Sequence, residues 1–138
     1  MKQVVIPRYG PPEVLTVREV EDPVVNPGSV RIRVRAAGIN FSDLLARQGL
    51  YPGAPKPPLV VGYEVAGIVD AVGSGANAPP VGSKVIALTR FGGQSGLVVV
   101  SAANAFPLPS EWSFEEGAAF PVVYLTAHHM LTRVAAAR

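Results

Sequence analysis

The stretch AAGINFSDLLARQGLY, residues 36–51, is the part of this chain around which the rest is organised. It predicts a short helix over residues 41–48, with Asn40 or Ser42 as its N-terminal cap. Gly49 is the residue type that ends a helix in the left-handed conformation. Polar side chains gathered where a strand ends, on an otherwise apolar scaffold, are typical of small-molecule sites. We therefore expect this stretch to present the site.

The segments on either side of this stretch predict β-structure. Residues 30–36 (VRIRVRA) alternate strictly, which indicates a half-buried strand with its arginines on a solvated face. The chain has 14 glycines and 14 prolines, spread between short apolar runs as turn signals. Further strands are predicted over residues 2–6, 13–20, 59–61, 65–72, 83–88 and 97–102, and a C-terminal helix over residues 122–133. The sequence predicts a mainly β (α+β) fold, a strongly bent sheet or partly open barrel with few short helices, mostly C-terminal.

Two glycine-rich segments resemble phosphate-binding loops, but the residues that follow each of them predict other structures. Residues 73–78 (GSGANA) match the dinucleotide pattern G-x-G-x-x-A, which works only where a helix follows. Pro79 and Pro80 prevent that helix, so we reject a cofactor loop here. Residues 92–96 (GGQSG) precede a strand and predict a hairpin or site-lining loop.

Composition excludes several classes of function. The 138 residues suit one domain, and the absence of cysteine excludes disulfides and thiolate metal sites. The net charge of +2 comes without a dense basic cluster, so nothing supports nucleic-acid binding. We expect no membrane span, because no apolar run approaches the ~18 residues required, and no secretion signal, which favours a cytoplasmic protein. His128 and His129 point about 100° apart on one helix and cannot share a metal ion as neighbours.

Individual polar residues of the site have simple structural interpretations. Asp43 fits a charge in the first turn of a helix, and Glu64 fits a carboxylate that accepts from backbone amides in a turn. Tyr51 could reach a substrate with its hydroxyl or only anchor its loop. Taken singly, Asp43 and Glu64 are better explained by structure than by catalysis.

Taken together, several segments resemble the N-terminal, GroES-like catalytic domain of the medium-chain dehydrogenase/reductase superfamily. The resemblance covers almost the whole chain, and each segment is a weak signal by itself. Their order and spacing make the resemblance specific. The segments are residues 37–43 (AGINFSD), 47–52 (RQGLYP), 62–73 (GYEVAGIVDAVG), 81–85 (VGSKV) and 114–119 (FEEGAA) followed by 125–127 (LTA).

Within that superfamily the resemblance implies the zinc-independent, quinone oxidoreductase-like branch. Zinc alcohol dehydrogenases carry Cys where this chain has Asn40 and His where it has Tyr63. Neither Asn nor Tyr is an ordinary zinc ligand, so we expect no metal. Polyketide-synthase enoyl reductases and the synaptic-vesicle VAT-like proteins are similar as well.

The resemblance also implies roles for particular residues. The family uses NADPH to deliver hydride to a quinone or a conjugated carbonyl, and without metal the developing oxyanion needs hydrogen-bond donors. Asn40 and Tyr51 are the matching donors, and Asp43 joins them as a catalytic candidate. Thr126, with Asn40, matches the position that meets the nicotinamide. We expect all four around one cleft, with the wall formed by Phe41, Tyr63 and Glu64.

The resemblance divides the chain into residues 1–120, the substrate domain, and residues 121–138, the start of an inter-domain helix. The Rossmann domain that follows in the family is absent from this chain, which would then be a fragment, a truncated product or half of a split enzyme. We expect a nucleotide-binding domain to act in cis or in trans, and little NADPH affinity for this chain alone. We also expect the chain to self-associate through its uncovered helix, or to fold that helix back over the cleft. The alternatives are a polyketide-type enoyl reductase domain and a non-catalytic protein-association module.

Overall fold

The computed structural model describes residues 1–136 as a mainly β chain with three α-helices. A 3₁₀ turn covers Pro12–Val14, another covers Ala102–Asn104, and a π-helical segment spans Met130–Val134. This content confirms the predicted fold class, with helices mostly near the C-terminus. The strands are β1 (Lys2–Val5), β2 (Thr16–Glu19), β3 (Ser29–Ala37), β4 (Glu64–Val72), β5 (Lys84–Leu88), β6 (Leu97–Ser101) and β7 (Ala105–Pro107), and the helices are α1 (Phe41–Gln48), α2 (Phe114–Ala119) and α3 (Pro121–His129).

Five strands form one antiparallel sheet in the order β6-β3-β4-β5-β7, and β1 and β2 form a separate two-stranded ribbon. The ribbon joins the large sheet through the segment before β6, where Val4 N–H donates to the Gln94 carbonyl and Gly96 N–H donates to the Lys2 carbonyl. The apolar residues between the sheet faces form the core, in which Val30, Ile32 and Val65 are fully buried. Helix α2 packs on β3, β4 and β5.

The central strand pair β3–β4 is bent by irregular pairing. The register shifts between Arg31 and Ile32 and again between Val34 and Ala36. Gly67 of β4 lies at the second shift, and a Cβ there would overlap the Arg33 carbonyl group. Gly67 therefore marks both a β-bulge and a close approach of the two backbones. The resulting bend curls the sheet toward a half-barrel.

The alternating arginines of β3 lie on the outer face, as predicted, and two of them are paired. Arg31 Nε donates to one carboxylate oxygen of Asp70 at 2.6 Å, and Arg33 donates to the other at 2.6 Å. The two guanidinium groups hold the pKa of the Asp70 carboxyl below its ordinary value, although partial burial opposes them.

Helix α1 has the bounds that the sequence predicts, because its ends are encoded locally. Asn40 has extended backbone geometry at the N-cap, and its N–H donates to the Asp43 carboxylate at 2.8 Å. Gly49 ends the helix with φ of 76°, in the left-handed region that glycine adopts without strain. The cap is therefore Asn40, and Ser42 lies inside the first turn.

Several predicted segments differ from the structure. Residues 13–20, predicted as one strand, start within the 3₁₀ turn Pro12–Val14 and form β2 only over Thr16–Glu19. Residues 59–61, predicted as a strand, contribute only one β-bridge, between Leu59 and Ile6. The backbone carbonyls of residues 60–62 instead accept hydrogen bonds from the N–H groups of the loop at residues 92–94. The segment after β6 contains a further strand that was not predicted, β7, which pairs with β5.

Both C-terminal helices begin at residues that favour a helix start. Ser113 Oγ accepts from Glu116 N–H, and Glu116 accepts from Ser113 N–H in return, which is a capping box at the start of α2. Pro121 occupies the first turn of α3, where its missing N–H costs nothing. No helix within residues 1–136 has the length and apolar character that a membrane crossing requires.

Candidate functional site

A buried carboxylate joins the predicted site stretch to the C-terminal helix. Glu64 begins β4 and is 1% exposed. Its Oε1 accepts from the Asn40 side-chain amide at 2.9 Å, and its Oε2 accepts from Val122 N–H, in the first turn of α3, at 2.7 Å. Glu64 therefore fixes both the orientation of the Asn40 amide and the position of the helix.

Gly38 makes room for this carboxylate. A Cβ at residue 38 would overlap Glu64 and would lie 2.6 Å from the Ala118 carbonyl oxygen of α2. Gly38 N–H donates to the Glu64 backbone carbonyl at 3.1 Å, and its own carbonyl accepts from the Gln94 side chain at 3.1 Å. The glycine thus allows β3, β4 and α2 to meet closely at the site.

Asp43 connects α1 to the residue before Tyr63. Its side chain is 5% exposed and accepts from Asn40 N–H at 2.8 Å and from Gly62 N–H at 2.9 Å. Burial raises the pKa of the Asp43 carboxyl, while the two backbone hydrogen bonds act in the opposite direction. Each side-chain oxygen of Asp43 therefore accepts one backbone hydrogen bond, which ties α1 to the segment before Tyr63.

Three aromatic rings lie beside this network. The Tyr51 ring meets the Tyr63 ring edge-on with centroids 6.1 Å apart, and Tyr63 packs against Phe91 at 5.2 Å. Tyr51 also packs against the cluster of Ile6 and Leu59. Tyr51 and Tyr63 are therefore neighbours, as the shared-cleft prediction requires.

The Tyr63 hydroxyl is buried and has no hydrogen-bond partner among the described residues. The Ser42 and Tyr51 hydroxyls lie near the Tyr63 hydroxyl and affect its pKa, but neither is placed to form a hydrogen bond with it. Burial raises the pKa of Tyr63 to about 12, with smaller contributions from Tyr51 and Asp43, so the phenol stays protonated at ordinary pH.

The other predicted site residues are exposed. Phe41 is 74% exposed at the start of α1, so it stands at the surface beside the site rather than in a closed wall. Thr126 is exposed on α3, the helix whose first turn Glu64 binds. The structure brings Asn40, Asp43 and Glu64 into one network; Thr126 shares with it only its place on that helix.

A cavity of about 190 Å³ adjoins the network on the side of α1. Asp43, Arg47 and Gln94 supply its polar lining, and the rest is apolar, including Ile39 and Val61. Arg47 is 7% exposed and donates to the Gly10 carbonyl at 2.9 Å. Of the predicted site residues this cavity includes Asp43 alone.

Sequence reasoning missed three participants in the site. Val122 contributes only a backbone N–H, which no residue type encodes. Gln94 lies in the loop that was recognised as site-lining from its glycines, but its contact with Gly38 spans 56 residues. Arg47 stands next to Gln48 at the end of α1, where a charged residue usually faces solvent, so the sequence does not indicate its burial.

The side chains of Asn40, Tyr63 and Glu64 are not arranged as the ligands of a metal ion. Both oxygens of Glu64 already accept hydrogen bonds, the Asn40 nitrogen donates, and Tyr63 keeps its proton. Across residues 1–136, no group of three or more His, Cys, Asp or Glu side chains is placed to hold a metal ion.

Comparison with known proteins assigns the family. The alcohol dehydrogenase GroES-like domain matches residues 26–110. A synaptic vesicle membrane protein VAT-1 homolog of Danio rerio is 46% identical over 109 residues, which are 79% of this chain and 22% of the relative. A quinone oxidoreductase of Lama guanicoe is 34% identical over 140 residues, covering 100% of this chain and 42% of the relative. A pikromycin polyketide synthase component of Streptomyces venezuelae is 40% identical over 111 residues, 80% of this chain and 3% of the relative.

Solved structures agree in fold. Human synaptic vesicle membrane protein VAT-1 homolog-like protein matches with a TM-score of 0.95 and 36% identity, over 100% of this chain and 45% of that one. Escherichia coli quinone oxidoreductase, solved in complex with NADPH, matches with a TM-score of 0.90 and 33% identity, over 97% of this chain and 41% of that one. The chain spans less than half the length of each of these proteins. By the match over residues 26–110 and by these relatives, the chain belongs to the alcohol dehydrogenase GroES-like domain family of the medium-chain dehydrogenase/reductase superfamily.

Proposed function

We propose that this chain is the substrate-side domain of a zinc-free, NADPH-dependent oxidoreductase that reduces a quinone or a conjugated enone. The observation that carries the proposal is the fully buried Glu64, which orients the Asn40 amide and at the same time holds the first turn of α3. A buried carboxylate that holds an amide in one orientation preorganises that amide as a hydrogen-bond donor. The oxidoreductase relatives support this reading.

In this proposal Asn40 and Tyr51 stabilise the oxygen of the substrate. The Asn40 side chain has two N–H groups, and the bond to Glu64 uses one of them. The second N–H and the Tyr51 hydroxyl would donate to the oxygen on which negative charge develops, and Tyr51 would return a proton directly or through water. NADPH supplies the hydride when it is bound. Phe41, Tyr63 and Glu64 would line or support the cleft, and Asp43 would hold α1 against the segment before Tyr63.

The residues of this chain fit only one end of NADPH. Thr126, exposed on α3, and Asn40 would meet the nicotinamide. The pyrophosphate needs convergent amides at a helix N-terminus, whereas the loop at residues 73–78 leads into β5 without a helix. A nucleotide-binding domain, in cis or in trans, would supply that part. We therefore expect little NADPH affinity for this chain alone.

The surface of the C-terminal helix supports a partner domain. Val123, Tyr124 and Leu125 of α3 are each more than half exposed, as are Met130, Leu131 and Val134 in the π-helical segment. Contiguous exposed apolar surface of this kind is usually covered in the working protein. The nucleotide-binding domain is the proposed cover, and a second copy of this chain would take its place when that domain is absent. A cytoplasmic location stays part of the proposal.

Two alternatives remain distinct. Similarity to the pikromycin polyketide synthase component favours an enoyl reductase acting on carrier-bound acyl groups. The second alternative is a non-catalytic association module. Such a module would use the exposed helix surface to bind a partner and would need no hydrogen-bond donors aligned on a substrate. The Asn40 amide held by the buried Glu64 favours an enzyme.

The test uses this chain joined to a nucleotide-binding domain of a quinone oxidoreductase, with NADPH oxidation by duroquinone as the assay. Replacing Tyr51 with phenylalanine or Asn40 with alanine should each lower turnover by about 10²–10³, the usual effect of losing one such donor. Tyr9→Phe, at an exposed tyrosine outside the site, is the matched control. A wild-type fusion that binds NADPH but reduces neither duroquinone nor an enone would contradict the proposal.

A further inference from the structure

The Tyr63 hydroxyl is the one polar side-chain atom of the described residues that is buried without a hydrogen-bond partner. Native proteins rarely leave such a group unpaired, because it has lost its water without gaining another partner. The hydroxyl lies at the candidate site rather than in the core, which suggests that its partner arrives with a ligand.

The surroundings of Tyr63 define what that ligand can be. The rings of Tyr51 and Phe91 flank Tyr63, so the neighbourhood is aromatic and favours a flat conjugated molecule. The raised pKa of Tyr63, about 12, keeps its proton in place, so it offers a donor to a neutral oxygen acceptor. Its other polar neighbours, the Ser42 and Tyr51 hydroxyls, are themselves donors as well as acceptors.

We propose that the Tyr63 hydroxyl donates a hydrogen bond to a carbonyl oxygen of the bound quinone or enone and thereby selects oxygenated ligands over hydrocarbons of the same shape. This inference rests on the proposed function and adds a specificity residue to it. The Tyr51 ring meets the Tyr63 ring edge-on, and Tyr51 lies outside the strands and helices, two residues before Gly53, which has a φ of 81°. In this proposal a shift of the Tyr51 loop, which breaks no strand pairing, opens the way to the hydroxyl.

The experiment compares two probes of matched shape, duroquinone and durene (1,2,4,5-tetramethylbenzene), by calorimetric titration of the complete 138-residue chain. Wild type should bind duroquinone more tightly than durene. Tyr63→Phe should weaken duroquinone binding about three- to tenfold, the range expected for one hydrogen bond, and leave durene binding unchanged. Tyr9→Phe, at an exposed tyrosine away from the site, should change neither affinity.

Thermal unfolding of the same variants separates ligand recognition from a structural role. Tyr63→Phe should leave the ligand-free chain as stable as wild type or more stable, because it removes an unpaired buried hydroxyl. A destabilised variant would mean that ordered water or protein already satisfies the hydroxyl, and would overturn the inference. Equal weakening of duroquinone and durene, no weakening at all, or no duroquinone binding by wild type would overturn it too. Tyr63-dependent duroquinone binding would support it even if the fusion oxidised no NADPH, a result that would count against the proposed reaction alone.

Discussion

Replacing Glu64 with glutamine should loosen the contact between the site and the C-terminal helix. Both oxygens of Glu64 accept hydrogen bonds, from the Asn40 amide at 2.9 Å and from Val122 N–H at 2.7 Å, and the side chain is 1% exposed. A glutamine has one oxygen and one NH₂ group in the same space. In either orientation one of the two donors then faces another donor.

The expected cost follows from leaving one buried donor without an acceptor, which is about 1–3 kcal/mol. The free energy of unfolding should fall by this amount in urea titrations. Trp112 is a suitable fluorescent reporter, because it is the single tryptophan and packs on Phe120 next to α3. Hydrogen exchange at the Val122 amide should accelerate in the variant by more than the global loss of stability explains.

The control is Glu21→Gln, an exposed glutamate in the loop after β2, which should change stability by less than about 0.5 kcal/mol. If Glu64→Gln were as stable as this control, with unchanged exchange at Val122, the buried carboxylate would not hold the helix. The Glu64 carboxylate would then also be excluded as the group that fixes the Asn40 amide.

Three further predictions follow from the same region. Gly38→Ala should destabilise the chain by about 1–3 kcal/mol in urea unfolding, because its Cβ would lie 2.6 Å from the Ala118 carbonyl. Since the pKa of Asp43 is raised on folding, its contribution to stability is complete below pH ~3.8 and declines as pH rises through the folded pKa; Asp43→Asn should flatten that decline in pH-dependent unfolding. Light scattering should show self-association of the chain that Leu125→Ser reduces, and a monomeric wild type would contradict the prediction.

The parts of the fold encoded by neighbouring residues could be predicted from the sequence. Helix α1 is an example, because its capping residue Asn40 and its terminating Gly49 stand directly at its ends. The β4 strand was recognised from its apolar run. The apolar run at residues 59–61 was misleading, because its backbone bonds to a loop at residues 92–94 rather than to a regular strand.

The candidate site was harder to predict because its contacts join distant parts of the chain. The bond between Glu64 and Val122 spans 58 residues and uses a backbone group, which leaves no trace in the residue pattern. Glu64 accepts from a backbone N–H, as its simple interpretation implies, and holds the Asn40 side-chain amide in addition. Asp43 lies in the first turn of α1, as predicted, and accepts from two backbone N–H groups. The unpaired Tyr63 hydroxyl depends on side-chain packing that periodicity does not describe.

The Glu64–Val122 hydrogen bond also bears on how proteins of this family should be recombined. A chimaera that exchanges the sequence from residue 121 onward keeps Glu64 from one parent and takes its helix from the other. Because the acceptor binds a backbone N–H, the exchange succeeds chemically with any residue type at position 122 except proline, which has no N–H to donate. What the donor parent must preserve is the helix start at Pro121, which places that N–H within 2.7 Å of the carboxylate. Crossover libraries should therefore keep Pro121 and the length of this turn fixed, and can vary residue 122 among all types except proline.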